Sequence, residues 1–313
     1  MGSYAAKRVL LALPTLFLVS LVVFVLLRLV PGDPAELLLG DFADPGSVAA
    51  LRAQLGLDRP WPAQYVAWLG SLLAGDFGVS ISTGEPVLAA MLDRLAVTAQ
   101  VVLVSFALAM MIAIPVGILA AHRQDSVLDL AVVAGVVLCL SVPSFWVGLL
   151  LILFFGVKLG WLPTVGWVSP VEDLVLGLRY LALPALALLL VEMGQVARMT
   201  RASTIEVLRL DYILHARAKG LPESRVLWRH AFPNAVAPTV TVAGMLLGSL
   251  LGGAAVIETV FTLPGLGRLL VDAIYQRDYP VVQGVLLMVA CIQVSMNLLV
   301  DLLYPLFDPR VRL

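Results

Sequence analysis

The stretch Asp211-Tyr-Ile-Leu-His-Ala-Arg-Ala-Lys-Gly220-Leu-Pro222 is a polar, mostly basic segment in a strongly apolar chain. Just upstream, Ser203-Thr-Ile-Glu206 fits a capping box, in which a hydroxyl and a carboxylate satisfy the first free amides of a helix. We predict that this helix runs to Lys219, because Gly220 can adopt the left-handed conformation that ends helices. Pro222 suits the first turn of a second helix. The segment therefore predicts a helix, a tight turn and another helix.

The second helix of this segment is predicted to carry Arg225 and Arg229 one turn apart on one face. Pro233 and Pro238 are expected to limit its continuation into the next apolar run. Composition alone is compatible with two simple roles for so basic a segment. It could orient the chain in the membrane, or it could attract anionic lipid headgroups at about 1 kcal/mol per basic residue.

The composition of the whole chain is that of a membrane protein. Of its 313 residues, 61% are hydrophobic and 13% charged, whereas about 25% are charged in soluble domains. A net charge of −1 gives no basic excess for nucleic-acid binding. A helix needs roughly 20 mostly apolar residues to cross the bilayer. We predict an all-α membrane protein with six spans, at residues 9–27, 95–121, 128–155, 178–197, 236–261 and 281–303.

Three regions follow from these spans. We predict that residues 1–30 form an N-terminal transmembrane helix that is retained. Its apolar stretch is too long for a signal peptide, and no signal-peptide cleavage site follows it. Residues 31–94 form a small extracytoplasmic region, and residues 95–313 a five-helix domain with the cytoplasmic segment 198–235. Placing both termini in the cytoplasm puts twelve Lys and Arg residues on the inner flanks and four on the short outer ones. We therefore expect a multi-pass protein of the inner (plasma) membrane with both ends inside.

The extracytoplasmic region is predicted to contain a short helix over residues 47–55. Its aromatic residues Trp61, Tyr65 and Trp68 are placed at the membrane interface. A loop this long usually has a role, although a mere connector is the alternative.

Several residues within the spans are candidates for packing or for lining a pathway. Gly244, Gly248 and Gly252 form a smooth stripe that faces either this chain or a second subunit. Buried charges in membranes are costly, so Glu192 is a candidate functional residue, with pairing to Arg198 as the alternative. Other interruptions are Pro115, Pro143 and Pro184, which are expected to bend spans, and Glu258 and Asp301, which are expected to be interfacial charges near span ends.

The sequence contains no feature of an enzyme. It has no G-x-x-x-x-G-K-[ST] loop for ATP and no H-E-x-x-H motif, and its three histidines lie on the predicted cytoplasmic side. Cys139 and Cys291 sit in apolar runs, and two cysteines cannot build a disulfide framework. A secondary transporter remains an alternative, but we find no inverted repeat or paired helix breaks.

The basic segment resembles the cytoplasmic coupling loop of ABC-importer permeases, in the branch that carries peptides and nickel. The matching residues are Asp211-Tyr-Ile-Leu-His-Ala-Arg-Ala-Lys-Gly220 and Arg229-His-Ala-Phe-Pro-Asn-Ala235. The family's loop reads E-A-A, three residues, G, nine residues, I-x-L-P, and seats in a groove of the ATPase. This sequence differs from the family's loop at three positions: Leu214 replaces the glutamate, His215 the first alanine and His230 the isoleucine. The resemblance implies a coupling role for Asp211, Tyr212, Ala216, Arg217, Ala218, Lys219, Gly220, Phe232 and Pro233.

Short motifs extend this resemblance along nearly the whole chain, among them Gly75-Asp-Phe-Gly78, Pro264-Gly-Leu-Gly267, Arg277-Asp-Tyr-Pro280 and Asp308-Pro-Arg310. The implied fold is that of a type I ABC importer permease. The implied function is half of a pathway for di- or oligopeptides, with nickel chelates, glutathione, opines and oligosaccharides as alternative cargoes. The implied partners are a second permease subunit, two ATPase subunits, an extracytoplasmic binding protein and membrane lipid. This chain would bind no cofactor, because ATP and Mg would be used by the ATPases.

Overall fold

The computed structural model describes residues 2–29, 34–39, 44–54 and 56–307. The predicted motif Asp308-Pro-Arg310 lies outside these ranges. The helices are α1 (Gly2–Leu29), α2 (Pro34–Leu39), α3 (Pro45–Gln54), α4 (Trp61–Leu73), α5 (Val87–His122), α6 (Val127–Ser141), α7 (Ser144–Leu151), α8 (Leu174–Leu208), α9 (Asp211–Ala218), α10 (Glu223–Arg225), α11 (Phe232–Val260), α12 (Leu266–Tyr275) and α13 (Tyr279–Phe307).

The all-α membrane class predicted from the sequence is confirmed. Within the described residues, five helices are long and apolar enough to span a membrane, and a bent pair gives up to six. The bent pair corrects the third predicted span, residues 128–155, which is not one straight helix. Its halves, Val127–Ser141 and Ser144–Lys158, meet at an angle of 97°. Val142 is extended because the following Pro143 disfavours helical backbone at the residue before it.

The other two prolines, Pro115 and Pro184, lie inside the uninterrupted helices α5 and α8, where a bend stays a prediction. These helices pack closely. A methyl group at Gly117 of α5 would lie 2.7 Å from the carbonyl oxygen of Ala197 in α8. Only a residue without a side chain permits this approach. With α11, the two helices enclose the main core, which includes Val101, Leu181, Leu183, Ala187, Leu250 and Ile257.

Two ends of the bundle can be distinguished. The basic end carries residues 198–235 and the turn after α5, and the loop end carries residues 74–86 and 262–278. At the basic end, Arg201 of α8 forms a two-pronged ion pair with the buried Asp129 of α6, at 2.6 and 2.7 Å. Arg8 of α1 pairs with Asp301 of α13 at 2.8 Å, and both side chains are partly exposed. Asp301 is thus a charge near a span end, as expected.

Glu258 near the loop end is not the hydrated interfacial charge that we expected. It is fully buried. Its carboxyl group accepts hydrogen bonds from the Thr98 hydroxyl of α5 and from the backbone N–H of Arg268, at 3.0 Å in the latter case. Thr98 in turn accepts a bond of 2.8 Å from the N–H of Leu266. Glu258 therefore caps the first turn of α12 and ties it to α5 and α11, because the free amides of a helix start attract an acceptor.

A second buried acid, Asp278, holds the turn before α5 to the loop before α13. It is 1% exposed. Its Oδ2 accepts bonds from the Ser80 hydroxyl and from the N–H and hydroxyl of Ser82, the latter two at 3.1 and 3.0 Å. Burial alone would raise the pKa of Asp278, but these bonds and one from the Ile81 backbone outweigh it, so its pKa lies below the ordinary value. The family-like motif at residues 277–280 is thereby tied to the turn that follows another such motif, at residues 75–78.

We expect Asp278→Asn to lower the free energy of unfolding by about 1–3 kcal/mol, since an amide presents one acceptor oxygen and opposes a donor to the Val281 N–H. A carboxyl with a lowered folded pKa stabilises above its unfolded value of about 3.9. The stability difference between wild type and variant should therefore be constant near neutrality and shrink as the pH falls below about 4. Thermal unfolding of the purified protein measures it. Asp272→Asn, an exposed change at the same end, is the control, and equal losses in both variants would contradict the prediction.

Candidate functional site

The basic end is built on an extension of α8, not on a new helix at Ser203. The predicted capping box is wrong, because α8 continues through this position to Leu208 and its amides are already bonded within the helix. Ser203 instead donates its hydroxyl to the carbonyl oxygens of Thr200 and Ala235, at 3.2 and 2.9 Å. The chain then turns at Arg209 and starts the short helix α9 at Asp211.

One face of α9 is buried against the chain itself. Ile213 is fully buried and Ala216 is 6% exposed, in a cluster that also contains Val207, Val226 and Ala231. The small side chain of Ala216 lets α9 approach its neighbouring helices closely. Ala216 therefore contacts the chain itself, and its coupling role stays a prediction.

Gly220 occupies the left-handed turn that the sequence predicts, with φ of +76°. Its N–H donates to the carbonyl oxygen of Arg217 at 2.9 Å, and the N–H of Leu221 donates to that of Ala216 at 3.4 Å. No atom lies within 4 Å of the position that a methyl group would take at Gly220. The glycine is thus required by the backbone conformation and not by a lack of space.

The second helix of the segment does not stop before the next span. After α10 the chain forms one wide π-helical turn, Val226–Ala231, and α11 then runs on to Val260. The predicted interruption at Pro233 and Pro238 is wrong. Pro233 is the second residue of α11, directly after this π-helical turn, and Pro238 lies inside α11. The segment is thereby continuous with a membrane-spanning helix.

Polar contacts fix α9 to this continuous helix at both of its ends. Arg217 donates to the two carboxylate oxygens of Glu223, at 2.7 and 3.3 Å. Tyr212 donates its hydroxyl to the carbonyl oxygen of His230 at 3.3 Å, and Asn234 donates to the Tyr212 hydroxyl at 2.9 Å. These contacts hold residues 209–235 together as one compact unit, which we call the coupling element.

The outward surface of the coupling element is both apolar and charged. Leu210 and Leu214, one turn apart, are 43% and 52% exposed, and Trp228 is 52% exposed beside Phe232, with ring centroids 5.5 Å apart. The remaining predicted residues on this surface are Asp211, Ala218, Lys219 and Pro233, which are all exposed. Leu210 and Trp228 were missing from the predicted site, although large apolar residues within a polar segment indicated them.

The predicted pathway residues do not form one group. Side chains of α13 fill the space beside two of the glycines, with Val300 against Gly244 and Gln293 against Gly248. Gly252 is exposed and has open space beside it. Two of the three glycines in the stripe therefore contact α13 of the same chain.

Glu192 is buried inside the bundle, at 5% exposure. Its Oε2 has no hydrogen-bond partner among the residues that the structure describes. The expected pairing with Arg198 is not formed there, and Arg198 is exposed. Within the same described ranges, no group of three His, Cys, Asp or Glu side chains could hold a metal ion.

The described residues form an apolar helix bundle with a compact basic segment at one end. Comparisons with known families identify this bundle. Residues 113–313 match the model described as binding-protein-dependent transport system inner membrane component, and residues 1–102 match the model of its N-terminal part. The chain belongs to this family. It is a multi-pass membrane permease subunit and not an ATPase.

Relatives match over their full length. A putative peptide transport system permease protein of Brucella abortus is 46% identical over 313 residues, which cover 100% of this chain and 99% of the relative. An oligopeptide transport system permease protein of Bacillus subtilis is 40% identical over 99% of both chains. A di/tripeptide transport system permease protein of Pseudomonas aeruginosa is 39% identical, over 100% of this chain and 99% of its own.

Proposed function

We propose that this chain forms half of the translocation pathway of an ATP-driven importer that takes up di- or oligopeptides. The observation that carries the proposal is full-length similarity to relatives named for peptides, oligopeptides and di- or tripeptides. A second permease subunit completes the pathway. An extracytoplasmic binding protein, as the family's description implies, delivers the solute.

The coupling element supplies the link to energy. Its exposed Leu210, Leu214 and Trp228 offer apolar area at a site bounded by charged residues, as a protein docking surface requires. Two ATPase subunits bind ATP and Mg, and this chain binds neither. Closure of the ATPases moves α9, and the continuous helix Glu223–Val260 carries the displacement into the bundle.

The orientation follows from the same assignment. The coupling element faces the cytoplasm, so both termini lie inside and the loop end faces outward. The excess of Lys and Arg on the basic end supports this orientation. The exposed Gly252 on α11 is available for contact with the second permease subunit or for the pathway wall.

Uptake into proteoliposomes tests the function. The chain is co-purified with its neighbouring permease, ATPase and binding-protein subunits, and radiolabelled dipeptide is supplied with the binding protein outside. We expect uptake with ATP inside and none with a proton or sodium gradient alone. Uptake driven by the gradient would identify a secondary transporter. Preferential uptake of a nickel chelate, glutathione, an opine or an oligosaccharide would retain the importer and replace the cargo.

A further inference from the structure

The helix α4 is unusual for a segment outside the long spans, because it contains no charged residue. Its 13 residues, Trp61–Leu73, are too few to cross a bilayer, which needs about 20. Yet its outward face is apolar: Trp61 is 49% exposed, Val66 68% and Leu73 83%. In water this helix would expose a contiguous apolar surface, and such a surface usually marks a site that contacts another molecule or a membrane.

The opposite face of α4 packs onto the membrane-spanning helix α1. The ring of Tyr65 lies between Phe17 and Phe24, with centroids at 6.1 and 5.2 Å, and Trp68 lies 5.6 Å from Phe24. The Tyr65 hydroxyl bonds the Ser20 hydroxyl at 2.7 Å. Ser20 precedes the end of α1 at Leu29 by nine residues, which is about 13 Å along a helix. Tyr65 therefore reaches well below the end of the span.

The side-chain amide of Gln64 at this contact is fully paired within the protein. The side-chain carbonyl oxygen of Gln64 accepts two bonds from the Arg28 guanidinium, at 3.0 and 2.9 Å. Its amide nitrogen donates to the backbone oxygens of Leu57 and Arg59, at 2.9 and 2.8 Å. Unpaired polar groups cost several kcal/mol in hydrocarbon but little in water. Full pairing of the Gln64 amide therefore lowers the cost of placing this side chain in apolar surroundings.

The outer surface of α4 is also continuous with the exposed apolar surface of α1. The exposed residues of α1 include Leu18, Val22 and Leu26 and belong to a spanning helix of 22 residues. The one polar residue among those described is Thr15, whose hydroxyl donates to the Leu11 carbonyl oxygen within the helix. Because α4 lies alongside this helix, the same acyl chains that cover α1 reach α4.

We propose that α4 is embedded in the leaflet at the loop end, lying against α1 with its exposed apolar face in contact with phospholipid. In the orientation proposed above, this is the outer leaflet. Amphipathic helices typically insert about 5–10 Å below the headgroup boundary. Of the three aromatic residues, Trp61 thus faces the lipid, whereas Tyr65 and Trp68 form the contact with α1. The binding protein must dock on other parts of the loop end.

Spin-label accessibility in the complete importer, reconstituted in phospholipid nanodiscs, tests this placement. In a Cys139→Ala, Cys291→Ala background, nitroxides are attached at Val66→Cys and Leu73→Cys. Leu18→Cys in α1 is the lipid-facing control, and Thr83→Cys in the exposed turn is the aqueous control. Collision with oxygen, which concentrates in lipid, is compared with collision with a water-soluble nickel chelate.

We expect the oxygen-to-nickel ratio at Val66 and Leu73 to match that at Leu18 and to exceed that at Thr83 several-fold. It should not change when the loaded binding protein is added. A ratio like that of Thr83 would place α4 in water and overturn the proposal. Low collision with both reagents, or protection by the binding protein, would show a protein partner and overturn it equally. No outcome depends on transport, so the test is independent of the proposed cargo.

Discussion

Replacing Gly220 with valine should abolish ATP-driven uptake while leaving insertion into the membrane intact. The turn requires φ of +76°, where a branched side chain is strained by about 1–3 kcal/mol. If the turn relaxes to another conformation, α9 points in a different direction. If the turn is kept, the binding energy of the ATPase must offset the strain. At about 2 kcal/mol, ATPase capture weakens roughly 30-fold. Co-purification of the ATPases and solute-stimulated ATP hydrolysis measure this loss.

A matched control exists at the other end of the bundle. Gly84 is also exposed, has φ of +73° and has no atom within 4 Å of the position that a methyl group would take there. Gly84→Val should therefore impose similar strain without affecting ATPase capture. Gly220→Asn should retain most function, because asparagine tolerates the left-handed conformation. Normal capture by Gly220→Val would mean that residues 209–235 serve only as a charge anchor.

Glu258→Ala should cause the largest loss of stability among single changes at the loop end. It leaves the buried Thr98 hydroxyl and the Arg268 N–H without their acceptor, and each such loss costs about 1–3 kcal/mol. The start of α12 should then separate from α5 and α11. We expect the melting temperature of the purified protein to fall by several degrees, with earlier proteolysis within residues 262–278.

Two further variants make this result specific. Glu258→Gln keeps one carbonyl acceptor and should lose less. Thr259→Ala changes the next residue, which is exposed and bonds only within its own helix at 2.8 Å, so it should leave the melting temperature nearly unchanged. Equal melting of Glu258→Ala and wild type would show that the cap contributes nothing to stability.

The spans were predictable because a helix must be apolar over its whole length to cross lipid, and that property can be read locally. The turn at Gly220 was predictable for a similar reason, since a glycine between a helix and a proline has few other uses. The sequence predicted a bend at Pro143 but not how sharp the bend would be. Its angle of 97° depends on how both halves pack on other helices.

The error about Glu258 and the contacts of Asp278 and Ala216 that the sequence did not reveal share one cause. The partner that decides a residue's role lies far along the sequence: Thr98 is 160 residues from Glu258, and Ser80 is 198 residues from Asp278. Ala216 has its buried neighbours on three other segments. Local patterns cannot distinguish a buried cap from a hydrated charge, or an inward alanine from an outward one, when both occupy polar stretches of sequence.

The pairing of α1 with α13 constrains the order in which the protein can be made. α1 packs mainly against α13, and Arg8 bonds Asp301 across this contact. The ribosome needs about 15–60 s to synthesise the residues between them at ordinary rates of about 5–20 residues per second. During that interval α1 resides in the bilayer without its principal neighbour. The bundle therefore closes only after the last span has been inserted, and a chain truncated before α13 should be a substrate for membrane proteases even though its earlier spans insert normally.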